Sequence, residues 1–172
     1  MAIAFLEPKP PLQINSNMEI DALNSHFLTR SVPASNNHNL LLASWNIANF
    51  GAQSRSVDAL KVIAFIMKRF DLIAVQEIND DYRKFTKTVE LMGDEFDFVM
   101  SDTAGNTERL AYVFNRRKVK LGKLFGEVAL RPRIYPKRDV KVHYRQNRQN
   151  KVQVFKGLRY TPFDRNPFIG SF

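Results

Sequence analysis

The sequence predicts an α/β layered domain whose sheet turns antiparallel in its second part. Three observations carry this. Two short apolar runs, residues 40–45 and 72–75, have the length and composition of buried strands. Each is followed by a stretch with apolar residues at helical spacing. After Gly93 the hydrophobic period shortens to two, and several strands follow.

Residues 1–39 read as a leader, partly flexible. Pro8, Pro10, Pro11 and Pro33, with the polar stretch 35–39, bracket one short helix near 18–28. Whether this segment packs on the domain is not decided by the residues themselves. The first strand, 40–45, is ended by Asn49 and Gly51. Ser56 caps the next helix, Asp58 sits in its first turn, and Lys68 and Arg69 fall in its last, matching the helix dipole. Leu60, Ile63, Ala64 and Met67 form its apolar stripe.

The run 72–75 is a second buried strand. A second helix is expected over 80–92, with Tyr82, Phe85, Val89 and Met92 on one face and Gly93 as its stop. Phe96, Phe98 and Met100 then alternate with Asp97 and Val99. Strands at 110–114 and 119–128 follow, parted by a tight turn at Asn115-Arg116-Arg117. Residues 131–151 hold Arg131, Arg133, Lys137, Arg138, Lys141, Arg145, Arg148 and Lys151 against the single acid Asp139. This stretch reads as a basic insertion or extended loop. The chain resumes at 152–155, and residues 167–172 look like the opening of a further strand.

Composition narrows the function classes. At 172 residues the chain suits one domain with a real core. The absence of cysteine excludes disulfides, thiolate metal sites and cysteine nucleophiles. No apolar run approaches bilayer length, and the N-terminus has neither a basic n-region nor a small-residue cleavage site, so a cytoplasmic location is the default. The net charge of +9 favours polyanions such as nucleic acid, phosphorylated ligands or anionic lipid head groups. Solubility alone is the alternative explanation of that charge.

Chemistry concentrates at strand ends. Residues 44–51, SWNIANFG, close the first strand, and residues 71–77, DLIAVQE, bring Glu77 to the end of the second. Polar residues just past strand C-termini are where α/β sheets bind ligands. A carboxylate beside an amide side chain there suits Mg²⁺, a hard cation that prefers oxygen. The competing reading has Glu77 capping the following helix and Asn46 making a turn.

These two segments resemble the first two motifs of the endonuclease/exonuclease/phosphatase superfamily, which includes deoxyribonuclease I, exonuclease III and inositol polyphosphate 5-phosphatases. The resemblance implies that Glu77 is the principal metal ligand, next to the family's usual glutamine, here Gln76. It implies that Asn46 contacts metal-bound water and phosphate. Residues 106–114, NTERLAYVF, are similar to the segment whose glutamate orients a catalytic histidine, which points to Glu108. On residue type alone Glu108 would be an exposed partner of Arg109. Residues 164–168, DRNPF, look like the Arg-x-Pro segment of the deoxyribonuclease branch, whose arginine contacts substrate phosphate; Arg165 would inherit that role. The resemblance runs over 40–172.

It implies a four-layered α/β sandwich, of which this chain carries the first sheet and its helices. It also implies Mg²⁺ or Mn²⁺ as cofactor and metal-assisted phosphoester hydrolysis, with nucleic acid as the expected partner. A phosphorylated small molecule is the alternative, as is a non-catalytic nucleic-acid-binding module. Arg145, Arg148 and Lys151 of the basic stretch are the expected nucleic-acid contacts.

The family's histidine strand, Gly-Asp-x-Asn segment and Ser-Asp-His segment have no counterpart in these 172 residues. His26, His38 and His143 match none of them and read as surface residues. The chain is therefore expected to be a truncated and inactive form of the domain. The apolar faces of Ile73, Val75 and Val113 would be left poorly covered, and association through that exposed sheet face is expected.

Overall fold

A computed structural model describes residues 12–103, 107–128 and 166–172 in full, and residues 134–135, 140–146, 149–155 and 159–160 as strands. Helix α1 (Ser16–Thr29) precedes strand β1 (Leu42–Phe50), helix α2 (Val57–Met67), strand β2 (Leu72–Asn79) and helix α3 (Arg83–Met92). Strands β3 (Phe96–Met100) and β4 (Glu108–Asn115) complete a four-stranded sheet of order β1-β2-β4-β3. The β1–β2 pair is parallel, whereas β2–β4 and β3–β4 are antiparallel. The expected switch from α/β alternation to an antiparallel arrangement is thus present in a single mixed sheet.

The N-terminal helix signals of α2 acted where they were expected, but its last turn carries no basic residue, because α2 ends at Met67 with Lys68 as C-cap and Arg69 beyond it. The Ser56 side chain accepts from the Ala59 amide at 3.2 Å, and Asp58 occupies the first turn of α2. Leu60, Ala64 and Met67 are buried, with Ile63 packed beside them. Helix α3 begins later than expected, at Arg83, and Tyr82 is 42% exposed instead of joining the buried face. Its ring lies outside the stripe of Phe85, Val89 and Met92 because it precedes the first helical turn.

Both helices cover one face of the sheet. Phe50, Phe85 and Phe98 form a chain of edge-to-face rings, with centroids 6.0 and 5.3 Å apart. Ile73, Val75 and Val113 lie within this core at 1%, 1% and 0% exposure. The expectation that these three side chains would be poorly covered is therefore overturned. Alternate residues of β2 and β4 point to opposite faces, and these three point to the helix layer.

The opposite face carries Leu42, Ser44, Ala74, Gln76, Tyr112 and Phe114. It is covered in part by a small antiparallel pair, β5 (Phe125–Glu127) with the last strand of the chain, β10 (Phe168–Gly170). Tyr112 stacks on Phe168 at 5.4 Å and donates its hydroxyl to the Phe168 carbonyl at 3.0 Å. Phe172 packs edge-on against Tyr112 and Phe125. Leu42, at the β1 edge, stays 62% exposed.

Two further expectations are corrected. Of residues 119–128 only Phe125–Glu127 form strand; Gly122, outside it, donates its amide to the Ser171 carbonyl at 2.7 Å. Across the basic stretch, β7 (Val140–Gln146) and β8 (Gln149–Phe155) pair as an antiparallel hairpin where an extended loop was expected, after β6 (Ile134–Tyr135), which pairs with β9 (Arg159–Tyr160). Along the chain, Val140, Val142 and Tyr144 alternate with Lys141 and His143, and Val152 and Val154 flank Gln153, a period-two signal that the density of cations obscured.

The segment before β1 is docked. Phe27 stacks on Phe65 at 6.2 Å, and Arg69 lies 4.3 Å from the Phe27 ring while donating to the Val32 carbonyl at 2.5 Å. Ser16 donates to Asp58 at 2.8 Å. Among the described residues no helix is long and apolar enough to cross a membrane.

Candidate functional site

Parallel pairing of β1 and β2 brings their C-terminal ends side by side, with Asn46 in register with Gln76. Beyond that pair both strands depart from regular geometry. The β1–β2 register shifts between Asn46 and Phe50, and the β2–β4 register shifts between Val75 and Ile78. Ala48, Asn49 and Glu77 have φ of 55°, 49° and 64°. Left-handed backbone costs a non-glycine residue roughly 1–2 kcal/mol. Bulges and such strain recur where a sheet re-aims side chains at a functional site.

Here the re-aiming joins two predicted residues. Asn46 donates its Nδ2 to Glu77 Oε1 at 2.7 Å, and the Asn49 amide donates to Glu77 Oε2 at 3.2 Å. Asn46 Oδ1 in turn accepts from the Ala48 amide at 3.0 Å. The reading of Glu77 as a helix cap does not hold, since α3 starts without a side-chain cap and the carboxylate turns toward β1. Asn46 lies within β1 and makes its local bond to the Ala48 amide alongside the one to Glu77. Gln76 bonds along the sheet, donating to Ser44 Oγ at 3.2 Å and to the Ala74 carbonyl at 2.9 Å.

Glu108 begins β4 opposite Asn79, two residues past Glu77, so it lies at the same end of the sheet. Its neighbour Arg109 pairs with Asp80 at 2.7 Å, and Thr107 donates to Asn79 Oδ1 at 3.3 Å. Asn46, Glu77 and Glu108 are thereby gathered at one end from three separate strands. Arg145 falls in β7 and Lys151 in β8, while Arg148 and Arg165 lie outside the described residues. His26 and His38 are exposed, as surface residues should be.

One contributor was missed in the sequence, and a second, Gly51, was read only as the end of a strand. Arg55, in the loop before α2, donates Nη2 to the carbonyls of Ile47 and Ala48, each at 2.9 Å, and stacks 4.6 Å from the Phe50 ring. Burial lowers its pKa from the ordinary arginine value. Gly51, φ 108°, lets the loop leave β1 where any side chain would run into the Asp81 carbonyl. A glycine after a strand was a legible signal; an arginine in a basic chain was not.

Chemically, a carboxylate beside an amide side chain fits Mg²⁺, which keeps several waters and takes one or two carboxylates plus phosphate oxygens. Among the described residues no three histidine, cysteine, aspartate or glutamate side chains cluster to hold a metal. Any cation here would rely on water and on an incoming phosphate for most of its shell. No family model matches this chain, and no curated protein matches it.

Proposed function

We propose that this end of the sheet is the metal and phosphate corner of a Mg²⁺- or Mn²⁺-dependent phosphoester hydrolase of the endonuclease/exonuclease/phosphatase kind, built on that family's four-layered sandwich and directed at nucleic acid. The observation that carries the reading is the Asn46–Glu77 hydrogen bond of 2.7 Å, made between parallel strand ends by left-handed backbone at Ala48, Asn49 and Glu77. Left-handed backbone at residues such as Ala48 and Glu77 persists only where the surrounding structure holds it, and it clusters at functional sites. Glu77 would hold the cation, and Asn46 would orient phosphate and water beside it. A bound cation neutralises charge developing on the phosphate and leaving oxygen. Glu108 would orient a proton-transfer group, and Arg165 would meet substrate phosphate. The family's histidines and Gly-Asp-x-Asn segment have no match in these residues, so the catalytic set they supply is partial.

Mn²⁺ titrated into the labelled protein tests the corner directly. Paramagnetic broadening should appear first at the amides of Asn46 and Asn49 and disappear in Glu77→Gln. Broadening that is absent, or unchanged by the substitution, rejects the metal assignment.

A non-catalytic nucleic-acid-binding role is favoured by a separate observation, the cation-rich β7–β8 hairpin in a chain of net charge +9. Replacing Arg145, Arg148 and Lys151 with glutamine should weaken duplex DNA binding. The slope of log affinity against log salt should flatten by about 0.9 for each phosphate that is no longer neutralised. An unchanged slope would make the hairpin a solvated feature. Preference for a soluble inositol phosphate over DNA would move the substrate to a phosphorylated small molecule.

A further inference from the structure

We infer that Arg55 is a positioning residue for the Asn46–Glu77 corner, holding the end of β1 in the conformation that lets both Asn46 and the Asn49 amide reach Glu77. The inference rests on the proposed function only for its consequence for metal binding; the positioning itself is geometric.

The strained turn has a problem that Arg55 solves. Between Asn46 and Phe50, β1 leaves its register with β2, so the carbonyls of Ile47 and Ala48 are released from regular pairing. Buried carbonyls without partners are costly. Arg55 Nη2 satisfies both oxygens at 2.9 Å from one atom. Its guanidinium is fixed in turn by the Phe50 ring at 4.6 Å, and Phe50 is wholly buried. The remaining Nη1 is buried with no hydrogen-bond partner among the described residues. An arginine that tolerates an unused donor is held by its other interactions, and those are with the two carbonyls and the ring.

The consequence travels through backbone geometry. Ala48 and Asn49, at φ 55° and 49°, follow the two carbonyls immediately. Their amides make the bonds that define the corner: Ala48 N to Asn46 Oδ1 and Asn49 N to Glu77 Oε2. Closing the loop, the Ala52 amide donates to the Asn49 carbonyl at 3.1 Å, and Gly51 admits the close approach of Asp81. Without the guanidinium, the Ile47 and Ala48 carbonyls lose these two bonds, and the turn is free to relax toward extended backbone. Relaxation would withdraw the Asn49 amide from Glu77 and swing Asn46 away from it.

The experiment compares Arg55→Met, Arg55→Gln and Arg55→Lys in the full chain, each with and without Glu77→Gln. In the wild type, Glu77→Gln should shift the Asn49 amide and the Asn46 side-chain amide. In Arg55→Met those two signals should no longer respond, while the core amides of Val75 and Val113 stay at their wild-type positions. Arg55→Lys, whose ammonium can still donate to both carbonyls, should keep the response. Mn²⁺ affinity should fall about 10-fold or more in Arg55→Met, the usual cost of losing a group that orients a ligand, and much less in Arg55→Lys. Arg55→Gln is read in parallel, so an unfolded Arg55→Met does not end the test. A folded Arg55→Met or Arg55→Gln with the coupling between Asn49 and Glu77 intact overturns the proposal. Mn²⁺ that binds nowhere near Glu77 in the wild type removes the metal reading alone, because the amide responses to Glu77→Gln still decide whether Arg55 positions the corner.

Discussion

Plasmid DNA incubated with this chain and Mg²⁺ should stay supercoiled. The corner supplies one carboxylate and one amide side chain joined at 2.7 Å, and no three metal-binding side chains cluster among the described residues. A strongly hydrated ion is held weakly by so few protein oxygens. Hydrolysis also needs a base to ready the attacking water. General acid–base groups contribute roughly 100- to 10,000-fold each, and losses within one catalytic unit are not additive. His26 and His38 are exposed on the segment before β1, and His143 matches none of the family's histidine segments. Agarose gels of supercoiled plasmid, with Glu77→Ala as control, measure this. Nicking by the wild-type chain that disappears in Glu77→Ala would refute the expectation and show that another residue readies the water. Nicking that survives in Glu77→Ala would mark a contaminating nuclease.

Lys118→Met should lower the unfolding free energy by about 3–5 kcal/mol at neutral pH, the typical cost of removing one partner of a buried ion pair. At the end of the sheet opposite Glu77, Asp71 is 1% exposed and accepts from Ser35 Oγ at 2.6 Å, the Leu41 amide at 2.8 Å and Lys118 Nζ at 3.0 Å. Lys118 also donates to Ser35 Oγ at 2.6 Å and to the Asn39 carbonyl at 2.9 Å, so one ammonium ties the segment before β1 to the sheet. Burial by itself would raise the Asp71 pKa, but the hydrogen bonds from Ser35, Leu41 and Lys118 and the lysine charge together hold it below the usual carboxylate value.

A carboxyl depressed on folding adds stability above its unfolded pKa of about 3.9. That contribution is lost as pH falls through the lower folded value. Without Lys118 the carboxylate is stranded in a dry site, so its folded pKa should rise. The penalty of Lys118→Met should therefore be large at pH 7 and shrink in acid, where Asp71 takes up a proton. Urea unfolding at pH 7 and pH 3 reads both quantities, and a melting-temperature drop of about 10 °C is expected at neutral pH. Asp71→Asn combined with Lys118→Met should recover part of the loss, since it removes the stranded charge. An equal penalty at both pH values would show that Lys118 contributes packing and not charge.

How much of this is legible in the sequence depends on whether the deciding interaction is local. The stripe of Leu60, Ala64 and Met67 and the cap at Ser56 follow from spacing, because helix periodicity and capping are satisfied within a few residues. The runs 40–45 and 72–75, just before Asn46 and Glu77, read as strands for the same reason, and adjacent parallel strands place their ends together. By itself, then, the sequence determined the α/β class, the two helices on the core and which polar residues close the first two strands.

Only tertiary structure decided what those strand ends do. That Glu77 turns toward Asn46 instead of capping α3 depends on bulges whose partners lie about 30 residues away in sequence. The coverage of Ile73, Val75 and Val113 was misjudged because alternation tells that two faces exist and not which one the helices take. Arg55, one cation among 26 lysines and arginines, became distinguishable only when two released carbonyls and a buried ring were seen around it. Pattern along a chain reports what each residue prefers; which distant group satisfies a buried donor or acceptor is settled when the layers close on one another.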